Sequence, residues 1–329
     1  MKRCTATLIR AVALTALAGP LPAAPVCHHS ATAAPALERL RVALSEGRFV
    51  AYQPTSLEIR DGKVSDADPE SIRVDLQLLR HHFDALVTYD AIHGAQAVTP
   101  IAASLKYRAL IIGVWNPFNA EELDAALAAA RQFPQLVVGV SLGNEMLFSH
   151  RADVERLAGA LARVRAQLPR LPLSTSEPFH IYEAAPADAL LPALDFLLVN
   201  VHPVFQPWFR TASEGNAAQF VVNVADQLAQ AYCGPILIKE TGEPTAPAEA
   251  GFSSARQASF YRELRARLPP DRDRAFAYFS AFDAPWRLQD DTGVPGRPHP
   301  EEAHWGLYDA HRHNKLAVDE LPPLPAGPR

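Results

Sequence analysis

A chain of 329 residues with 48% hydrophobic content can bury a large core, and α/β barrels of this length commonly form one domain. Its net charge of −5, without a basic cluster, argues against nucleic acid or an anionic membrane surface as partner. Its 29 prolines are scattered rather than periodic, and three cysteines are too few for a disulfide scaffold.

In chain order, the first unit reads as a leader. Lys2, Arg3 and Arg10 precede the apolar stretch 11–18, and Gly19-Pro20 and small residues follow, the layout of a signal peptide too short to span a membrane. Residues 1–33 are assigned to it, with cleavage contexts at 21–24 and 31–33, so the protein is expected to be secreted or periplasmic. A lipoprotein reading of Cys27 is opposed by Val26, where a small residue is wanted. Cys4 leaves with the leader. Cys233 reads as a buried or loop thiol, and a Cys27–Cys233 bridge stays open if cleavage precedes Cys27.

Beyond the leader, short apolar runs at 49–53, 85–89, 109–114, 136–142, 172–175, 196–201, 235–239 and 275–282 read as strands. Between them lie stretches with helical spacing, such as Leu76, Leu79 and Phe83, or Val154, Leu157, Leu161 and Val164. Asn119 before Glu121-Glu122 reads as a helix N-cap. Eight strands alternating with helices predict a single-domain (β/α)8 TIM barrel over 34–320. A doubly wound sheet is the alternative, but no Gly-rich phosphate loop follows the first strand. The Pro-rich segment 321–329 reads as a disordered tail.

Barrel active sites lie at the C-terminal strand ends. There the chain carries Tyr52-Gln53, Tyr89-Asp90, Trp115-Asn116, Asn144-Glu145, Ser176-Glu177, His202-Pro203, Glu240-Thr241 and Phe282-Asp283. Glu145 closes the fourth strand and Glu240 the seventh. A carboxyl pair across a barrel mouth is what glycoside cleavage needs: one protonates the leaving oxygen, the other attacks, or activates water at, the anomeric carbon. Asn144 is placed to hydrogen-bond a sugar 2-hydroxyl.

The segments "SLGNE", "IKETGEP", "LSTSEPFH", "VNVHPVF", "FSAFDAPWR" and "AHWGLYD" together resemble glycoside hydrolase family 17, especially its bacterial members. The resemblance extends from about residue 49 to 315. It implies a retaining enzyme of β-1,3-glucan, a hydrolase or glucanosyltransferase on a (β/α)8 barrel, with Glu145 as general acid/base and Glu240 as nucleophile. One position departs: where much of the family has an aromatic after the Gly of the nucleophile motif, this chain has Glu243. A carboxylate cannot stack on a sugar and can raise the pKa of a neighbouring carboxyl, so a retaining barrel glycosidase for another polysaccharide stays open, as does a glycan-binding barrel without turnover.

His202 is a candidate for orienting Glu240 or touching sugar, and Tyr89, Glu177 and Asp283 are candidate hydroxyl binders. Trp115, Phe205, Trp208, Phe282, Trp286 and Trp305 are candidate sugar platforms, with Trp286 first because it lies in a loop between Pro285 and Arg287. His311 and His313 read as solvated, and neither a metal-ligand cluster nor a cofactor motif is present. The expected partner is a polysaccharide or oligosaccharide, and the expected state a monomer.

Overall fold

The structure, a computed structural model, describes residues 30–60, 62–184, 187–211, 214–289 and 299–324. Most of the expected leader, residues 1–29, lies outside them. Eight parallel strands close into one barrel: β1 (Phe49–Ala51), β2 (Ala85–Val87), β3 (Ala109–Val114), β4 (Val137–Asn144), β5 (Leu173–Pro178), β6 (Leu197–Asn200), β7 (Ile236–Glu240) and β8 (Arg274–Tyr278). Each neighbour pairs in parallel, and β1 pairs with β8 to complete the circle. Parallel strands need crossovers, and these are supplied by helices including Pro69–Leu79, Ala120–Gln132, Val154–Gln167, Glu214–Ala231 and Ser254–Arg267. The expected (β/α)8 barrel is the fold.

The strands carry almost unbroken apolar runs because both of their faces are buried. One face packs on the helices. The other fills the barrel, where Phe49, Val87, Ile111, Val138, Phe196, Leu198 and Leu237 form one cluster. Helix Ala34–Glu46 belongs to that inner cluster through Leu37, Leu40, Ala43 and Leu44. It closes the N-terminal end of the barrel, and Arg41 pairs with Asp273, just before β8. Asn119 caps its helix as expected, accepting from the Glu121 and Glu122 amides.

Several boundaries differ from expectation. β5 continues to Pro178, so Glu177 lies inside the strand rather than after it. β8 stops at Tyr278, and Phe282 makes only an isolated bridge to Tyr308. At the two ends of the described chain, residues flanking the barrel pack on it. Ser30 donates its amide to Asp195 Oδ1 at 3.1 Å and Ala33 is buried, so residues assigned to the leader dock on the barrel. Leu321 is buried, and the Pro322 carbonyl accepts from Arg48 at 2.8 Å, so the tail is held to that point. Residues 325–329 lie outside the described residues. Of the two readings of Cys233, thiol or bridge, the structure has the bridge: Cys233 is disulfide-bonded.

Leu40→Ala should cost about 2–5 kcal/mol, because a buried cavity opens at the barrel's closed end. Denaturant midpoints read the loss. The turnover of the folded fraction should be unchanged, since the helix lies at the other end from the strand C-termini.

Candidate active site

Two bulges shape the barrel mouth. On β4, Ser141 pairs with Ser174 and Asn144 with Ser176, so the strand carries one extra residue. Gly143 takes it up at φ +92°, where a Cβ would strike the Met146 side chain. On β7, Val199 pairs with Ile238 but Asn200 with Glu240, leaving Lys239 as the extra residue. Strand alternation would send Lys239 and Glu240 to opposite faces. The bulge lets both reach the mouth.

Glu145 follows β4 at φ +53°, in a left-handed conformation that a non-glycine residue adopts at a cost of about 1–3 kcal/mol. Its surroundings hold it there. Its amide donates to the Ser176 carbonyl at 2.7 Å, and its carbonyl accepts from the Ser149 amide at 2.9 Å. Its carboxyl accepts from Asn200 Nδ2 at 2.8 Å, while Ser176 Oγ fixes the other end of Asn200 at 3.1 Å. Burial, then the charge of Glu240, raise the Glu145 pKa, opposed by Asn200, His202 and Lys239.

Glu240 is 6% exposed. Burial pushes its pKa up, but Lys239 and His202 together outweigh that and hold it well below the usual carboxylate range. Lys239 Nζ lies 2.8 Å from Oε1, and His202 Nε2 lies 3.3 Å from Oε2. Lys239 also donates to Asn144 Oδ1 and sits 4.4 Å from the centre of the Tyr89 ring. The buried Tyr89 hydroxyl lies against Glu240 without an aligned hydrogen bond. Glu145, Glu240, Asn144, His202 and Tyr89 thus meet at one mouth.

The other candidates are placed differently. Glu177 is fully buried, and its two oxygens accept from the amides of Leu147 at 2.9 Å and Phe148 at 3.2 Å. It anchors the turn that carries Glu145 rather than presenting a group to sugar. Asp283 pairs with Lys315 at 2.6 Å and accepts from the Gly306 amide at 2.9 Å, so it ties the last loops together. Phe282 is core, edge-on to Tyr52 and beside Tyr308. Trp305 is enclosed too, packing edge-on against His202 and Phe279 as a wall behind the histidine. Platforms need an open face, which these rings lack. Phe205, at 54% exposed, has one, and Trp286 is half-buried. Trp115 is 36% exposed with the Arg151 guanidinium 4.8 Å over its ring, whereas Trp208 packs on Phe220. Glu243 is buried and paired with Arg256 at 2.8 Å, so its carboxylate is engaged in the barrel wall.

Sequence reasoning missed Lys239, Asn200 and Arg151. Lys239 and Asn200 left a signal, each being a polar residue closing an otherwise apolar strand; Arg151, which donates to the Asn144 carbonyl, left none. Among the described residues, no cluster of three His, Cys, Asp or Glu could hold a metal, and no helix is long and apolar enough to cross a membrane.

A carboxylate held ionised, beside a carboxyl that burial keeps protonated to higher pH, is the equipment of a glycoside hydrolase. The sequence falls in that class: a profile of the BtgE/BtgC glycoside hydrolase domain matches residues 50–306, and the chain belongs to this family. A curated relative, the glucan 1,3-beta-glucosidase of Arthroderma benhamiae, is 28% identical over 279 residues, covering 79% of this chain and 87% of the relative. Among solved structures, an endo-laminarinase from Formosa Hel1_33_131 superposes with a TM-score of 0.66 at 19% identity, over 84% of this chain and 87% of that one. A Rhizomucor miehei beta-1,3-glucanosyltransferase gives a TM-score of 0.61 at 19% identity, over 85% and 98%. At such identities the two structures share the fold.

The site's buried carboxyls also set a pH dependence of stability. Burial raises Glu177 to about 7, and raises Glu122, which accepts from the Trp115 and Asn116 amides, to about 7 as well. A carboxyl whose folded pKa lies above its unfolded value stabilises fully below the unfolded value, and loses that contribution as pH rises through the folded one. Stability should therefore fall between about pH 4.3 and pH 7. Glu240 works in the opposite sense, but its contribution is lost only as pH falls through its depressed pKa, below this window. A melting temperature that rises from pH 5 to pH 7.5 would contradict the assignment.

Proposed function

We propose that the protein is a secreted retaining glycosidase of β-1,3-linked glucan, working through a glycosyl-enzyme on Glu240. The observation that carries the mechanism is the opposed environment of the two carboxyls: Lys239 and His202 hold Glu240 ionised, while burial beside that charge favours the protonated form of Glu145. Glu240 attacks the anomeric carbon while Glu145 protonates the departing oxygen, and Glu145 then deprotonates the water that releases the sugar. Asn200 orients the Glu145 carboxyl. Phe205 and Trp286 are proposed as sugar platforms because they keep exposed faces. Membership of glycoside hydrolase family 17 is part of this reading, supported by the sequence resemblance and by the family named for a similar Rhizomucor miehei structure.

The glucan assignment is supported by the name of the Arthroderma benhamiae relative and by those of the two fold neighbours. Secretion is supported by the leader-like start of the chain and by the disulfide at Cys233, since such bonds persist in oxidising compartments. Transfer to a second glucan instead of water uses the same intermediate.

Substitution separates the two glutamates. Glu240→Ala should lower kcat/KM by more than about 10³-fold on every substrate, since the nucleophile is gone. Glu145→Ala should retain far more activity on an aryl β-glucoside with a good leaving group than on laminari-oligosaccharides. Azide should speed Glu145→Ala and yield the β-azide, and on Glu240→Ala should yield the α-azide. Interchanged anomers would reverse the roles, and wild-type activity in both variants would remove them.

A further inference from the structure

Lys239 is 2% exposed, and a cation so buried needs compensation from its neighbours. It has three: Asn144 Oδ1, Glu240 Oε1 and the face of Tyr89. An ammonium donates and never accepts, so its contact with Asn144 must use the amide oxygen. The Asn144 Nδ2 group is then the one left for a ligand, and a substrate hydroxyl meeting it must accept. The ammonium's 2.8 Å approach to Glu240 Oε1 is a contact of charge without an aligned hydrogen bond.

We propose that Lys239 is a positioning residue of the reaction, orienting the Asn144 amide so that Nδ2 meets the substrate hydroxyl beside the reacting carbon, and placing a fixed positive charge against Glu240. The proposal rests on the roles given above to Glu145 and Glu240. Tyr89 at the end of β2, Glu145 after β4, His202 after β6 and Arg287 after β8 are the other titratable or charged groups facing Glu240. His202 stands farther off, at 3.3 Å, and Arg287 is engaged by Glu302 and Gln53, each at 3.0 Å. Lys239 is thus the closest cation. A neutral side chain there leaves Glu240 buried beside Glu145 with only His202 and Arg287 to favour its ionised form, and frees the Asn144 amide to turn over.

The test compares kcat/KM against pH for the wild type, Lys239→Met and Lys239→Arg, using an aryl β-glucoside and its 2-deoxy counterpart. The wild-type acid limb should lie below the ordinary glutamate value of about 4.3. In Lys239→Met it should move up by at least about one pH unit, and the preference for the 2-hydroxyl substrate should fall by about tenfold, one lost hydrogen bond's worth. Lys239→Arg keeps the charge, so its limb should stay near the wild type's. A slower Lys239→Met with both limb and preference unmoved would mark a merely structural role and overturn the proposal. So would a wild-type limb at or above the ordinary value, a result that needs no variant to fold. Should Glu240→Ala abolish activity while Lys239→Met moves neither readout, this inference falls alone. A wild type inactive on every β-glycoside brings down the functional reading itself.

Discussion

A carboxylate cannot sit at the end of an apolar strand, almost wholly out of water, unless something takes up its charge. Glu240 is that carboxylate, and much of the barrel mouth is arranged around it. The compensation comes from the preceding residue, Lys239, made possible by a single extra residue in the ladder between β6 and β7. His202 supplies the second contact and is itself backed by Phe279 and Trp305. Trp305, which the sequence offers as a sugar platform, instead backs the imidazole that contacts Glu240.

The opposite carboxyl depends on a different device. Glu145 stands in a strained backbone conformation, and a strained residue persists only where its surroundings over-determine it. Ser176 holds its amide, Glu177 holds the following turn through the Leu147 and Phe148 amides, and Arg151 reaches back to the Asn144 carbonyl. Arg151 also lies over Trp115, so side-chain contacts tie together the ends of β3, β4 and β5. Asn200 then joins this unit to the β6–β7 side, bonding Glu145 while pairing in register with Glu240. Strain at one residue and pairing at another meet through one side chain.

All eight strands were legible in the sequence because a strand buried on both faces is a short apolar run, and such runs stand out between helical stretches. That Glu145 and Glu240 would face one mouth was legible because each ends a strand of the expected barrel, and such ends converge on one face. Helix Ala34–Glu46 was not, since it adjoins the apparent leader and its Leu37, Leu40 and Leu44 merge with that apolar region. Glu177 and Asp283 look like ligand groups from strand-end position, yet backbone amides and Lys315 claim them, and partners distant in sequence leave no local mark. Lys239 was passed over for a physical reason: alternation assigns it to the face opposite Glu240, and only the bulge reverses that.

The proposed mechanism requires Glu240 to form a covalent bond to sugar. Incubation with a dinitrophenyl glycoside of 2-deoxy-2-fluoro laminaribiose, whose fluorine slows both steps while the good leaving group restores the first, should inactivate the enzyme and add one fluorosugar to its mass. Proteolysis and mass spectrometry should place that addition on Glu240 alone. A label on Glu145 or any other residue would contradict the account.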